Sequence, residues 1–135
     1  MKILLIGKDG QIGKSLLNVL RDEHEVIPLG KKDCNLQNKE EIILVFKNLK
    51  VDLVIIAAAY TNVEKAENEP DKVFSINSTS IETIAILTKQ YNIPIIYYST
   101  DYVFDGKSSK EYSEEDNLNP INIYGKSKLS GEKNV

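Results

Sequence analysis

The chain has 135 residues, enough for one domain and short for two, and its 41% hydrophobic and 27% charged content is that of a globular protein. A net charge of −3 leaves no basic surplus to neutralise phosphates, which argues against a nucleic-acid partner. One cysteine, Cys34, excludes a disulfide framework or a cysteine-rich zinc site, and one histidine, His24, cannot alone build a metal site or a Ser-His-Asp constellation.

The apolar runs are far shorter than the ~20 residues a membrane span needs. The first of them stops at Gly7 and Lys8, too early for a signal peptide. The chain therefore reads as a cytoplasmic domain with no membrane partner. Lys2–Ile6 is apolar after its first residue, as in a strand buried on both faces. Residues 12–20 follow with Ile12, Leu16, Leu17 and Leu20 on one helical face. Glu25–Leu29 is a second strand closed by Gly30, and 39–49 returns to helical spacing through Ile42, Ile43, Val45, Phe46 and Leu49. Residues 53–59 form a third strand. A long helix begins at Pro70, a residue suited to the first helical position, and ends before Asn92. Residues 95–98 are a fourth strand, 105–119 a polar loop, and a last helix starts around Tyr124. The order β-α-β-α-β-α-β-loop-α predicts an α/β fold, a doubly wound Rossmann-type parallel sheet with helices on both faces.

The first strand runs into Gly7-Lys8-Asp9-Gly10-Gln11-Ile12-Gly13, and a helix opens at once. A Rossmann unit needs glycine there for a tight turn, for backbone approach to a pyrophosphate, and for packing of helix on strand. The phosphate then rests on unpaired N–H groups at the helix N-terminus. The blander alternative, a glycine turn that binds nothing, loses ground because strand, loop and helix stand in the required order. A site preferring NADH places a carboxylate at the end of the second strand. Here Gly30 stands in that position, followed by Lys31 and Lys32, either solvated loop lysines or cations able to meet a 2′-phosphate. NADPH is accordingly favoured over NADH, although Asp33 lies close by.

Tyr124-Gly125-Lys126-Ser127-Lys128 is a Tyr-x-x-x-Lys at the start of a helix. Positions i and i+4 share a face, so a phenol and an ammonium point into the same space, and a cation stabilises a phenolate. Thr100, just beyond the fourth strand, stands where α/β sheets bind ligands and can hydrogen-bond a substrate oxygen. Each signal alone is weak, and an amphipathic helix start would explain the Tyr and Lys equally well. Together and in this order they are specific.

With the segments 7–13, 57–67 (Ala-Ala-Ala-Tyr-Thr-Asn-Val-Glu-Lys-Ala-Glu), 99–106 (Ser-Thr-Asp-Tyr-Val-Phe-Asp-Gly) and 119–132, the chain resembles the extended short-chain dehydrogenase/reductases along its whole length. Ser-Thr-Asp-Tyr-Val-Phe is the part particular to a subgroup acting on nucleotide-linked deoxysugars. The resemblance implies NADPH or NADH as cofactor and a dTDP-linked keto-deoxysugar as substrate. It puts Gly10, Gln11 and Ile12 at the pyrophosphate, Asn35 and Leu36 at the adenine (where Asp is more usual than Asn35), and Ala59, Tyr60, Thr61 and Tyr98 against the cofactor. Thr100 and Asp101 match substrate contacts, and Tyr124 and Lys128 match the catalytic pair. Lys31 joins the cofactor set from its place beyond the second strand. Gly30 departs from the family, which has a ribose-gripping residue there.

His24 reads as an exposed loop residue, Cys34 as a plain thiol, and Glu111, Glu114, Glu115 and Asp116 as a solvated loop over the site rather than a metal site. Tyr97, Tyr102 and Phe104 read as core and pocket-wall residues. Two other functions stay open: an epimerase or dehydratase that keeps NAD bound, and a non-catalytic NADP-binding regulatory subunit similar to that of methionine adenosyltransferase. The absent ribose clamp weighs against the first, the intact Tyr124 and Lys128 against the second. Four strands are few beside the about six of a full Rossmann domain. Residues 1–135 are therefore expected to be an incomplete, C-terminally truncated cofactor domain without its substrate lobe, inactive alone. A homodimer is open for the longer protein.

Overall fold

Two apolar runs with buried residues on both faces, Lys2–Ile6 and Leu53–Ile56, pair side by side at the centre of the sheet, and two partly exposed runs flank them. The computed structural model describes residues 1–47 and 49–135. Strands β1 (Lys2–Ile6), β2 (Glu25–Leu29), β3 (Leu53–Ile56) and β4 (Ile95–Tyr97) form one parallel sheet in the order β2-β1-β3-β4. The register sets Ile3 opposite both Val26 and Leu53, and Val54 opposite Ile95. Pro28 is tolerated because β2 is an edge strand, where a missing donor leaves no ladder bond unmade.

Alternation along the strands divides the core. Ile3, Leu5 and Ile55 face helix α1 (Gln11–Leu20) through Leu16, Leu17 and Leu20. Leu4, Ile6, Val54 and Ile56 face α2 (Lys39–Lys47) and α5 (Ser80–Gln90) through Ile42, Phe46, Ile81 and Ile84. Helices thus cover both faces, as the sequence predicts, and the fold is Rossmann-type α/β. The chain leaves β1 toward β2 on one side and returns to β3 on the other. The carboxyl ends of β1 and β3 therefore flank the crevice where such sheets bind ligands.

Several expectations are corrected. Ile12 lies off the α1 stripe and is 42% exposed, because it sits at the helix mouth beside the glycine loop and not over the sheet. The third strand ends at Ile56; the Ala57 N–H still donates to the Ile6 carbonyl at 2.8 Å, and Ala58 and Ala59 follow as connecting backbone. The second helix is observed to Lys47, and position 48 of the expected 39–49 span lies outside the described residues. Ile96 in β4 is exposed, because β4 is the other sheet edge. His24 is half-buried rather than exposed, its Nδ1 2.8 Å from the Glu23 carbonyl.

The long helix after Pro70 is broken in register. A short α3 (Val63–Ala66) precedes it, capped by the Asn62 side chain on the Lys65 N–H. Then α4 (Pro70–Phe74) passes through a π-helical turn, Ser75–Thr79, into α5. A π turn widens the helix by one residue and rotates the buried face. Val73 consequently packs with Ala66 and Tyr124, while Ile81 and Ile84 pack on the sheet. The polar stretch 105–119 has neither helix nor strand. It closes on Asp105, whose carboxylate accepts from the Lys107 N–H, the Tyr112 hydroxyl and the Asn119 amide. Helix α6 (Ile123–Glu132) begins at the Asn122 cap, which accepts the Gly125 N–H at 2.7 Å.

Phe46 is 1% exposed in the larger core. Phe46→Ala is expected to lower the unfolding free energy by about 3–5 kcal/mol, read by urea titration of the far-ultraviolet circular dichroism.

Candidate functional site

The glycine loop is built by close approach. Gly7 has φ +104°, and a Cβ there would lie 2.5 Å from the Ala58 nitrogen; a Cβ on Gly13 would lie 1.9 Å from the Gly7 carbonyl oxygen. Those two glycines let β1, α1 and the Ala57–Ala58 backbone meet. Gly10 has ordinary φ, −76°, and only ordinary contact around a Cβ, so its place at the α1 N-terminus faces open space. No side chain caps α1, and the first-turn N–H groups of a helix have no intrahelical acceptor. Such an end is suited to phosphate.

Two contiguous clefts open there. One, about 440 Å³, is lined by Gly7, Gly10, Gln11, Ile12, Ala59 and Thr61 among others. The second, about 310 Å³, continues past Gly30 and Lys31 to Asn35, Leu36 and Tyr60. The loop residues and the segments after β2 and β3, far apart in sequence, thus line one elongated site that fits a dinucleotide. Gly13 is buried beneath it. Cys34 forms part of the lining and is 3% exposed; burial pushes its thiol up, with Glu41 adding to the shift. Tyr60 is held by its hydroxyl on Glu69 at 2.8 Å, and Lys72 bonds the same carboxylate at 3.0 Å while its ammonium lies 5.4 Å from the Tyr60 ring centroid. Lys72, a cation on the cleft wall, is unmarked in the sequence because it lies on a helix face that only the fold turns inward.

Thr100 and Asp101 line a different cleft of about 420 Å³, with Phe104, Tyr112 and Glu132. The Thr100 hydroxyl donates to Asp101 at 3.2 Å and accepts the Tyr102 N–H at 3.3 Å, capping the short 3₁₀ turn Asp101–Val103. Serving a substrate oxygen requires that it release Asp101. Tyr102, read as a wall residue, is instead 43% exposed, edge-on to Tyr124 at 5.6 Å between centroids.

Tyr124 and Lys128 are both buried on α6, and neither belongs to the lining of these clefts. The Lys128 ammonium donates to the Tyr98 carbonyl at 2.5 Å and lies 3.9 Å from the Tyr97 ring centroid. Tyr98 contributes that backbone oxygen while its side chain is exposed. Burial holds the Tyr97 phenol well above its usual range, and its hydroxyl donates to the Asn77 carbonyl at 3.1 Å. Asn77 is the residue that sequence reasoning passed over. Its side chain accepts the Tyr60 N–H and donates to the Tyr60 carbonyl and the Ser127 hydroxyl, at 2.8, 3.0 and 3.0 Å. A polar residue inside the apolar stripe from Val73 to Ile84 was the available signal.

The whole chain, residues 1–135, matches the family described as the RmlD substrate binding domain. The dTDP-4-dehydrorhamnose reductase of Sinorhizobium fredii is 37% identical over 132 residues, covering 98% of this chain and 45% of that protein. The enzyme of the same name from Salmonella typhimurium is 39% identical over 137 residues, with 98% and 46% covered. Among solved structures, dTDP-4-dehydrorhamnose reductase from Bacillus anthracis in complex with NADP superposes with a TM-score of 0.94 at 36% identity, covering 99% of this chain and 48% of that one. The chain spans about half the length of the relatives it matches.

Burial lowers the pKa of Lys128 from its ordinary 10.5 to about 8, with Glu132 acting weakly in the opposite sense. Between those values the unfolded chain holds a proton that the folded chain has released, so stability from this group rises with pH. The difference in unfolding free energy between the protein and its Lys128→Met variant is expected to grow in favour of Lys128 from pH 8 to pH 10. Urea titrations at the two pH values read it.

Proposed function

The chain belongs to the RmlD substrate binding domain family, and from that membership we propose that its protein is a cytoplasmic NADPH- or NADH-dependent reductase. The reaction is reduction of the C4 keto group of dTDP-4-dehydro-6-deoxy-L-mannose (dTDP-4-dehydrorhamnose) to dTDP-L-rhamnose. The observation that carries this reading is the joining of residues 7–12, 30–36 and 58–61 into one elongated cleft at the uncapped N-terminus of α1. A side wall of Ala57–Ala59 backbone and a helix end free of side-chain caps fit a dinucleotide's pyrophosphate. Relatives that carry the reductase name support the substrate.

A bound nicotinamide supplies the hydride for the C4 carbon; the remaining work falls to side chains. Tyr124 gives its proton to the developing C4 oxyanion as general acid. Thr100 orients that oxygen once its hydroxyl leaves Asp101. Lys128 stabilises the phenolate left on Tyr124. Below pH about 8 it keeps its charge, and an ammonium has three donors, of which the Tyr98 carbonyl takes one. The Tyr97 ring and the Tyr98 carbonyl fix where that charge stands, so it need not be ordered during the reaction.

Tyr124→Phe in the intact protein is expected to cut turnover of the dTDP-linked keto-deoxysugar by more than 100-fold, the scale of general acid catalysis. Turnover within about tenfold of the parent would remove Tyr124 from the role of proton donor.

A further inference from the structure

Lys128 is placed where it meets little water. Its side chain is 2% exposed, yet among the described residues no carboxylate lies within ion-pair distance of its ammonium. What faces the ammonium is a ring. The Tyr97 centroid lies 3.9 Å away, inside the ~6 Å over which an aromatic face attracts a cation. The ring is itself held from three sides. Its hydroxyl donates to the Asn77 carbonyl at 3.1 Å, the ring packs against the larger core, and a Cβ on Gly131 would lie 2.6 Å from that hydroxyl. Burial holds the phenol well above its usual range, so the ring stays neutral and presents an electron-rich face.

Tyr124 and Glu132 stand about one turn to either side of Lys128 on α6, and Glu132 opposes the effect of burial on it. The elements packed on α6 also carry Glu64, Lys65, Asp71, Lys72 and Asp101, and none of these adds to the field at Lys128. The Tyr98 carbonyl accepts from the ammonium at 2.5 Å. The Tyr97 face is therefore the large neighbour that can stand in for lost hydration on the charged form.

We propose that Tyr97 is a positioning residue for the reduction: its ring face, anchored through the hydroxyl on Asn77, takes the place of water around the Lys128 ammonium and so keeps that lysine charged on the helix that carries Tyr124. The effect on turnover rests on the reductase reading; the effect on the charge rests on the geometry alone. A ring face favours the ammonium over the neutral amine and thus opposes burial. Deleting the ring lowers the pKa of Lys128 further, and the charge is lost at lower pH. A hole that merely admitted water would relieve the burial and raise the pKa instead, so the two effects differ in direction.

A pH titration of the intact protein by nuclear magnetic resonance, with carbon-labelled lysine, reads the charge without turnover; Lys128 is the resonance missing from Lys128→Met. Tyr97→Leu is expected to lower the Lys128 pKa by about 0.5 to 1 unit, the worth of a partly desolvated ring–cation contact. Tyr97→Phe keeps the ring face, loses only the tie to Asn77, and is expected to return the value to within about 0.3 unit of the parent. With the dTDP-linked keto-deoxysugar, the high-pH limb of kcat is expected to move down in Tyr97→Leu by a similar amount. Its kcat at pH 8 falls about threefold to tenfold while KM changes by less than about twofold. Tyr97→Met, ringless and closer in volume, replaces the leucine variant should that one fail to fold. A Lys128 pKa that stays or rises in the ringless variant overturns the proposal, and so does a phenylalanine variant that behaves like the leucine one. A parent protein that turns over no keto-deoxysugar, while the Lys128 pKa falls as expected, removes the reductase reading and upholds the ring's hold on the charge.

Discussion

The buried amide of Asn77 ties together the parts of the site that the sheet alone leaves separate. A primary amide out of water must have its donors and acceptor satisfied, or it costs more than its burial returns. Asn77 meets that demand with the Tyr60 backbone on one side and Ser127 on the other. The first partner belongs to the wall of the elongated cleft, the second to the helix that carries Tyr124 and Lys128. Its own carbonyl takes the Tyr97 hydroxyl at the end of β4. One residue therefore ties together the cleft wall, the end of β4 and helix α6.

The π turn makes that residue available. In an uninterrupted helix from Pro70 to Gln90 the stripe that packs on the sheet would continue, and position 77 would point elsewhere. The extra residue turns Asn77 and Ser78 toward α6, where Ser78 meets Ser130 at 2.7 Å. Helix α6 can come so near only because residue 131 is glycine. A Cβ there would lie 2.2 Å from the Asn77 carbonyl oxygen and 2.6 Å from the Tyr97 hydroxyl. A local irregularity in one helix and a missing side chain in another are two halves of one contact, and π turns commonly mark functional sites.

Lys128 shows what this packing does to charge. At 2% exposure it is among the most buried side chains, and removing an ammonium from water is costly unless its donors are used. The Tyr98 carbonyl and the Tyr97 ring face compensate in part, and the lowered pKa records the part that is not compensated. The result is a cation near neutral pH whose place is set by backbone and aromatic contacts. Among the described residues no buried side-chain nitrogen or oxygen lacks a partner.

Much of this was legible in the residues themselves. Apolar runs of four or five separated by amphipathic stretches dictate a parallel sheet with helices on both faces, because strands buried on both sides have no other way to cover themselves. The spacing of Gly7 and Gly13 after a strand gives the tight strand-to-helix turn for steric reasons, because neither position has room for a Cβ. That Tyr124 and Lys128 share a helix and are both buried on it agrees with helical periodicity. What tertiary structure alone decided lies in contacts between segments distant in sequence: the π turn that aims Asn77, the ring beneath Lys128, the Thr100 hydroxyl already engaged by Asp101, and Lys8 closing on Asp33 across 25 positions. Periodicity reports which face of an element is apolar. Which polar group on one element meets which on another depends on how close two backbones come, and that distance is set by packing.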